Sequence, residues 1–188
     1  AGTGMVCHGL KGGIGSSSRI VKIGDKEYTI GIILNSNFGT SNGEELIFKG
    51  KRLGPSIKKY TEDYFEKGSI VAVLATDIPV NERQLKRMLK RIELGISRTG
   101  SYAGNGDVFI GFTTSNVINT KDFNNLESRV MDSSLNPIFK DLVDMVEEAV
   151  LNSMLLSHHV KGYRMEVNAL MDYVSLFRDD LDLVVEYN

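Results

Sequence analysis

The sequence predicts an α/β chain in which helices pack on a β-sheet, and three observations carry that prediction. SIVAVLAT, residues 69–76, is a β-branched apolar run of strand length with apolar residues on both faces, the pattern of a central strand covered on both sides. Residues 133–157 place Leu135, Ile138, Leu142, Met145, Val146, Ala149, Val150, Met154 and Leu155 at helical spacing, a broad apolar face that needs a surface to bury it. Residues 19–34 read as two strands joined by Gly24, Asp25 and Lys26, a short polar connection suited to a hairpin. Helix on sheet is the layer packing that follows.

Taken in order, residues 1–18 (AGTGMVCHGLKGGIGSSS) hold six Gly and four Ser or Thr, too little periodicity for a regular element. They predict a shaped loop lying on a surface. The hairpin follows and ends in the turn cluster Asn35, Ser36, Asn37, Phe38, Gly39. Residues 40–67 are polar and charged, with Gly43, Gly50, Gly54 and Pro55 breaking any period. An exposed, poorly ordered segment is expected there, with a weak helical option around residues 58–65. After the strand at 69–76, Asn81 is a candidate cap and Glu82 a first-turn acid for a helix buried through Leu85, Met88, Leu89 and Ile92 and ending near Gly95. SRTGSYAGNG, residues 97–106, is a second glycine-rich loop and delivers Asp107 into the strand VFIGFTT. Asn136 and Pro137 sit near the start of the long helix. Residues 158–167, interrupted at Lys161 and Gly162, predict a hairpin, and the tail from Ala169 a short helix with a loose acidic end.

Composition narrows the function. The 188 residues carry 22 Lys plus Arg against 24 Asp plus Glu, a formal charge of −2, with no dense basic block to meet a phosphate backbone. The longest apolar run, Ile70 to Ala75, is far short of the about 20 residues of a bilayer span. Nucleic-acid and integral-membrane roles are disfavoured. Cys7 stands alone, which precludes an intrachain disulfide and a thiolate-rich zinc site and is compatible with a reducing, cytoplasmic location. The chain begins at Ala1, so a processed chain or a piece of a longer one is expected.

Chemistry has few candidates. GLKGGIGSSSR is neither a P-loop nor a dinucleotide fingerprint, and its glycines suit a backbone that turns tightly and lets another segment approach. His158 and His159 are adjacent, point to opposite faces of a strand and read as a surface pair; His8 reads as structural. Gly68 and Ser69 stand between a ragged polar segment and a buried strand. Ser69 is either an ordinary strand start or an N-terminal nucleophile. In the second case cleavage before it frees an α-amino group of pKa about 7.7–8.0, a general base for its own hydroxyl.

Four ordered blocks add a resemblance: GTGMVCHGLKGGIGSSSR (2–19), YTIGIILNSNFG (28–39), GSIVAVLATDIPVNERQLKRMLKRIELGISRTGS (68–101) and NGDVFIGFTTSN (105–116). In that order they resemble the L-aminopeptidase D-Ala-esterase/amidase family, which includes the β-peptidyl aminopeptidases, and the helix LNPIF…EEAVLNSML is similar as well. The resemblance implies a layered αββα sandwich, two sheets between helices, shared with the ornithine acetyltransferases. It implies a precursor that cuts itself between Gly68 and Ser69, leaving residues 1–68 as the C-terminal part of an α subunit and 69–188 as a β subunit of the same structural domain. Ser69 would be the nucleophile, forming an acyl-enzyme from peptides, amides or esters with a free amino terminus. Asn37, from the family's NFG turn, would donate to the oxyanion.

The family's Ser-Gly-acid triplet falls on Asn105, Gly106 and Asp107. Asp107 keeps a carboxylate to orient the α-amino group or relay a proton, whereas Asn105 replaces a hydroxyl and supplies only an amide. No metal or organic cofactor is implied. The expected partners are the missing N-terminal part of the α subunit and further copies, as a homo-oligomer of αβ units, a tetramer. Two alternatives remain: an acyltransferase of the ornithine acetyltransferase type, where the nucleophile is typically Thr, and a catalytically inert relative.

Overall fold

A computed structural model describes residues 3–40, 43–57, 68–117, 121, 128–163 and 165–177. Two short paired strands, β1 (Val6–Cys7) and β2 (Leu10–Lys11), precede β3 (Gly13–Ile23), which pairs along its whole length with β4 (Lys26–Ser36). A second small ladder, β5 (Ile47–Phe48) with β6 (Lys51–Arg52), leads into the single turn α1 (Gly54–Ile57). The chain then runs β7 (Val71–Thr76), α2 (Glu82–Ser97), β8 (Val108–Thr113), a 3-10 turn at Asp132–Leu135 and α3 (Asn136–Leu155). It ends in the antiparallel pair β9 (Val160–Lys161) and β10 (Glu166–Val167) and a 3-10 helix at Leu170–Leu176.

The central sheet has four strands in the order β3-β4-β7-β8, antiparallel except for the β7–β8 pair. A parallel pair needs a crossover, and α2 supplies it. Asn81 caps α2 as expected: its side chain accepts from the Gln84 N–H at 2.9 Å while the Gln84 carboxamide accepts from the Asn81 N–H at 3.1 Å. On one face of the sheet Ile30, Ile32, Leu34, Ala72 and Leu74 are buried with Met88 and Ile92 of α2 and Leu142, Met145, Val146 and Ala149 of α3. Each large side chain so buried contributes about 1.5–3 kcal/mol.

The other face is open among the described residues. Ile14, Ile20, Ile33, Val71, Val108, Ile110 and Phe112 are between 42% and 73% exposed there. β7 is central in the sheet, as expected, but here only one of its apolar faces is covered.

Two further expectations are corrected. Residues 13–18, expected as loop, are the first half of β3, held by ladder pairing to residues 31–36 of β4. Their small side chains serve packing: a Cβ on Gly15 would lie 1.8 Å from the Ala149 carbonyl oxygen, so α3 can lie on the sheet only where that position is bare. Residues 43–57, expected as poorly ordered, bury Leu46, Phe48, Leu53 and Ile57. Gly50 is not a breaker there but closes a two-residue hairpin turn with Lys49, at φ 80° and 46°. α2 ends at Ser97, near Gly95 as expected, and Gly95 itself lies where α2 crosses Val146 of α3, too close for a side chain. The helical option around 58–65 and the acidic end of the tail lie outside the described residues.

Candidate functional site

Ser69 occupies the step between an exposed Gly68 and a fully buried Ile70, immediately before β7. The sheet register decides what surrounds it. The antiparallel ladder ends at Asn35 opposite Val71, so Asn37 and Ser69 each lie two residues past the same end of that ladder. The parallel ladder pairs Val71 with Val108, and carried back by two residues it sets Gly106 on the other side. Direct proximity agrees: a Cβ on Gly106 would lie 3.3 Å from Ser69 Cβ and 3.5 Å from its Oγ. The turn before β8 therefore lies against the Ser69 hydroxyl, at the same end of the sheet as the end of β4.

Asp107 ties two of these segments together. Its Oδ1 accepts from the Ile70 N–H at 2.9 Å and its Oδ2 from the Gly104 N–H at 2.6 Å, while the Val108 N–H donates to the Ile70 carbonyl at 3.0 Å. The carboxylate thus reaches the residue after Ser69 through the backbone. Asn105 lies in the exposed turn with Gly106, beside the loop that Asp107 pins.

Asn37 is half-buried just past the end of β4, and its Oδ1 accepts from the Val6 N–H at 2.9 Å. A backbone N–H can only donate, so it fixes which end of the carboxamide is oxygen and leaves Nδ2 for another acceptor. Asn35, expected in the same turn cluster, is instead part of the strand ladder and directs its Nδ2 to the Met5 sulfur at 3.3 Å.

The imidazoles are engaged elsewhere. His158 and His159 are exposed, and His159 meets Glu166 at 2.8 Å and Asn168 at 3.0 Å, the surface pair expected from the sequence. His8 is buried against Phe38, with ring centroids 5.5 Å apart, and against Gly39. Burial in these apolar surroundings pushes its pKa down to about 4. Among the described residues no group of three or more His, Cys, Asp or Glu is placed to hold a metal ion, and no helix is long and apolar enough to cross a membrane.

Two concavities, of about 660 and 610 Å³, lie away from Ser69, one outside α3 and one on the open sheet face. The site is recognised by its chemistry and strand-end geometry, at the rim of a surface that is open here. Sequence reading missed the supporting backbone donors Val6, Ile70 and Gly104. Nothing local in the sequence marks them, because each is set by a pairing between distant segments.

A model of the family described as Peptidase family S58 matches residues 1–168. The Beta-peptidyl aminopeptidase BapA of Sphingosinicella xenopeptidilytica is 35% identical over 179 residues, covering 86% of this chain and 44% of that protein. Among solved structures, the L-aminopeptidase D-Ala-esterase/amidase of Ochrobactrum anthropi, described as a prototype for the serine aminopeptidases and a new variant among the Ntn hydrolase fold, superposes with a TM-score of 0.85 at 33% identity. A Pyrococcus horikoshii protein superposes with a TM-score of 0.83 at 38% identity, and both matches cover 97% of this chain and 52% of the other. The chain spans about half the length of the relatives it matches, and its sheet and helices have the fold of this aminopeptidase sandwich.

Proposed function

Because the chain belongs to Peptidase family S58, we propose that it is the nucleophile-bearing part of a self-cleaving serine hydrolase that releases N-terminal amino acids from peptides, amides or esters. What supports the reading is Ser69 at the step from exposed to buried chain, with Gly106 against its hydroxyl and Asp107 holding the Ile70 backbone next to it.

In maturation, Ser69 Oγ attacks the Gly68 carbonyl carbon and the Gly68 C–Ser69 N bond breaks, the proton of the hydroxyl passing to the departing nitrogen. Water then hydrolyses the resulting ester, leaving a Gly68 carboxylate and a Ser69 with free hydroxyl and α-amino groups. Residues 1–68 thereby end an α subunit and residues 69–188 form the β subunit. In turnover the freed amine takes the proton from Oγ as it attacks the substrate carbonyl, then returns a proton to the leaving group. Water releases the acyl group by the same route.

Asn37, its oxygen tied to Val6, offers Nδ2 to the oxyanion, a contribution on the order of 10²–10³ in rate. Asp107 holds the backbone next to the nucleophile and is the acid that orients or relays; Asn105 borders the loop as a hydrogen-bonding amide. No cofactor is needed for these steps.

The open apolar sheet face supports a second sheet, supplied by the N-terminal part of the precursor, which also completes the pocket for the substrate's amino terminus. A contiguous apolar face of that kind is rare on a finished monomer. The apolar groove outside α3, with Phe48, Leu151, Leu155, Val174 and Phe177, supports further assembly of αβ units into a tetramer. The lone Cys7 suits a cytoplasmic setting.

The test is Ser69→Ala in the full-length precursor, assayed on an aminoacyl p-nitroanilide and for chain cleavage. Both activities should vanish, and turnover at the parent rate would refute the assignment.

A further inference from the structure

We infer that His8 is the positioning residue for Asn37, its ring bracing the turn that aims the Asn37 carboxamide at the oxyanion. The inference rests on the reading of Asn37 proposed above.

The segment carrying His8 clasps the end of β4 by two backbone donors. The Val6 N–H holds Asn37 Oδ1 at 2.9 Å, and the His8 N–H holds the Phe38 carbonyl, the next residue along, also at 2.9 Å. Between these two bonds the Asn37 backbone and side chain are both fixed. The His8 ring then closes the clasp from the other side. It packs edge to face on Phe38 at 5.5 Å, and it fills the space where Gly39 lacks a side chain: a Cβ on Gly39 would lie 2.6 Å from His8 Nδ1. Gly39, at φ 99°, turns the chain away directly after the Asn37–Phe38 pair.

Fold stability alone does not ask for a histidine here. His8 sits at φ 51°, a left-handed conformation unfavourable for a non-glycine residue. Its side chain is fully buried, and among the described residues neither ring nitrogen has a hydrogen-bond partner. Buried polar atoms without partners are rare, and residues held against their backbone preference cluster at functional sites. Two requirements meet in this residue. Among side chains, Asn, Asp and His tolerate the left-handed region best. Of those three, only His carries a flat ring long enough to lie across Gly39 and reach Phe38. Gly or Asn at position 8 would satisfy the backbone and leave the Asn37 turn unbraced; Phe would brace it and oppose the backbone.

That separation defines the experiment. In the full-length, matured protein, His8→Asn keeps the backbone tolerance and removes the ring. It should lower kcat on an aminoacyl p-nitroanilide on the order of 10-fold to 100-fold, the scale of an angstrom-level misplacement, with KM within about two-fold. His8→Phe, which restores a ring, should recover part of that loss. His8→Asn combined with Asn37→Ala should be no slower than Asn37→Ala alone, since the ring acts only through that carboxamide. If maturation is slowed as well, the rate of cleavage before Ser69 is read on the same set of variants and should show the same lack of additivity. A His8→Asn enzyme with parental kcat, or a double variant that loses the product of both single losses, overturns the inference. An Asn37→Ala enzyme with normal kcat removes the site reading beneath it, an outcome distinct from a slow Asn37→Ala beside a normal His8→Asn.

Discussion

Replacing Asp107 by Asn changes one oxygen for one NH2 and should disable the site more than it unfolds the protein. The carboxylate accepts from the Ile70 N–H at 2.9 Å and from the Gly104 N–H at 2.6 Å. A carboxamide can satisfy only one of them, and its own N–H then opposes the other donor. Hydrogen bonds to a charged group contribute about 1.5–3 kcal/mol, and Asp107 is half-buried, which places the loss toward the lower end. Carried fully into the transition state, that range corresponds to roughly 10-fold to 100-fold in rate. Ile70 directly follows the nucleophile, so its displacement should appear in kcat. The assay is initial-rate hydrolysis of an aminoacyl p-nitroanilide by the matured full-length enzyme, together with the rate of cleavage before Ser69. An Asp107→Asn enzyme that matures and turns over at the parental rate would refute the coupling of Asp107 to the nucleophile.

Other consequences concern the fold and its response to pH. A Gly15→Ala substitution puts a methyl 1.8 Å from the Ala149 carbonyl oxygen and must push α3 off the sheet; overpacking of this kind costs about 1–3 kcal/mol or more, and an unchanged melting temperature would contradict the packing. Leu74→Ala, at a fully buried position in the central strand, should cost about 2–5 kcal/mol in denaturant unfolding, and a loss below 1 kcal/mol would be inconsistent with its place in the core. His8 titrates at about 4 when folded against 6.5 in the unfolded chain, so between those values the unfolded chain binds more protons. Its contribution is full above about pH 6.5 and is lost as pH falls through about 4, by roughly 3 kcal/mol at 1.36 kcal/mol per pH unit. Denaturation midpoints at pH 7, 5.5 and 4 should show that slope in the parent and a flatter one in His8→Phe; identical slopes would rule out the buried neutral imidazole as its cause.

Much of this architecture was readable in the chain because single elements carry their own periodicity. The run at 69–76, the long apolar face of 133–157 and the Asn81 cap are local signals, and the structure places β7, α3 and α2 on them. Residues 13–18 were illegible for the opposite reason: Gly and Ser have weak strand preference, and only the partner strand β4 and the approach of α3 make them a strand. Gly50 misled because a glycine that breaks a helical period also closes a two-residue hairpin.

The same distinction runs through the site. Ser69 stands out at a composition boundary, and the family resemblance names Asn37, Asn105 and Asp107. Their spatial relation needs the register of two ladders, which no window of sequence contains. The Val6 donor and the His8 ring come from a segment whose glycines signal only that something must approach closely.

The account stands or falls on Ser69 becoming a free amino terminus. Intact-mass analysis of the purified full-length protein measures this directly. The account predicts two species, one of them with the mass of a fragment running from Ser69 to the C-terminus, and neither in a Ser69→Ala protein. A single uncut mass after prolonged incubation, or a cut at any other bond, would contradict it.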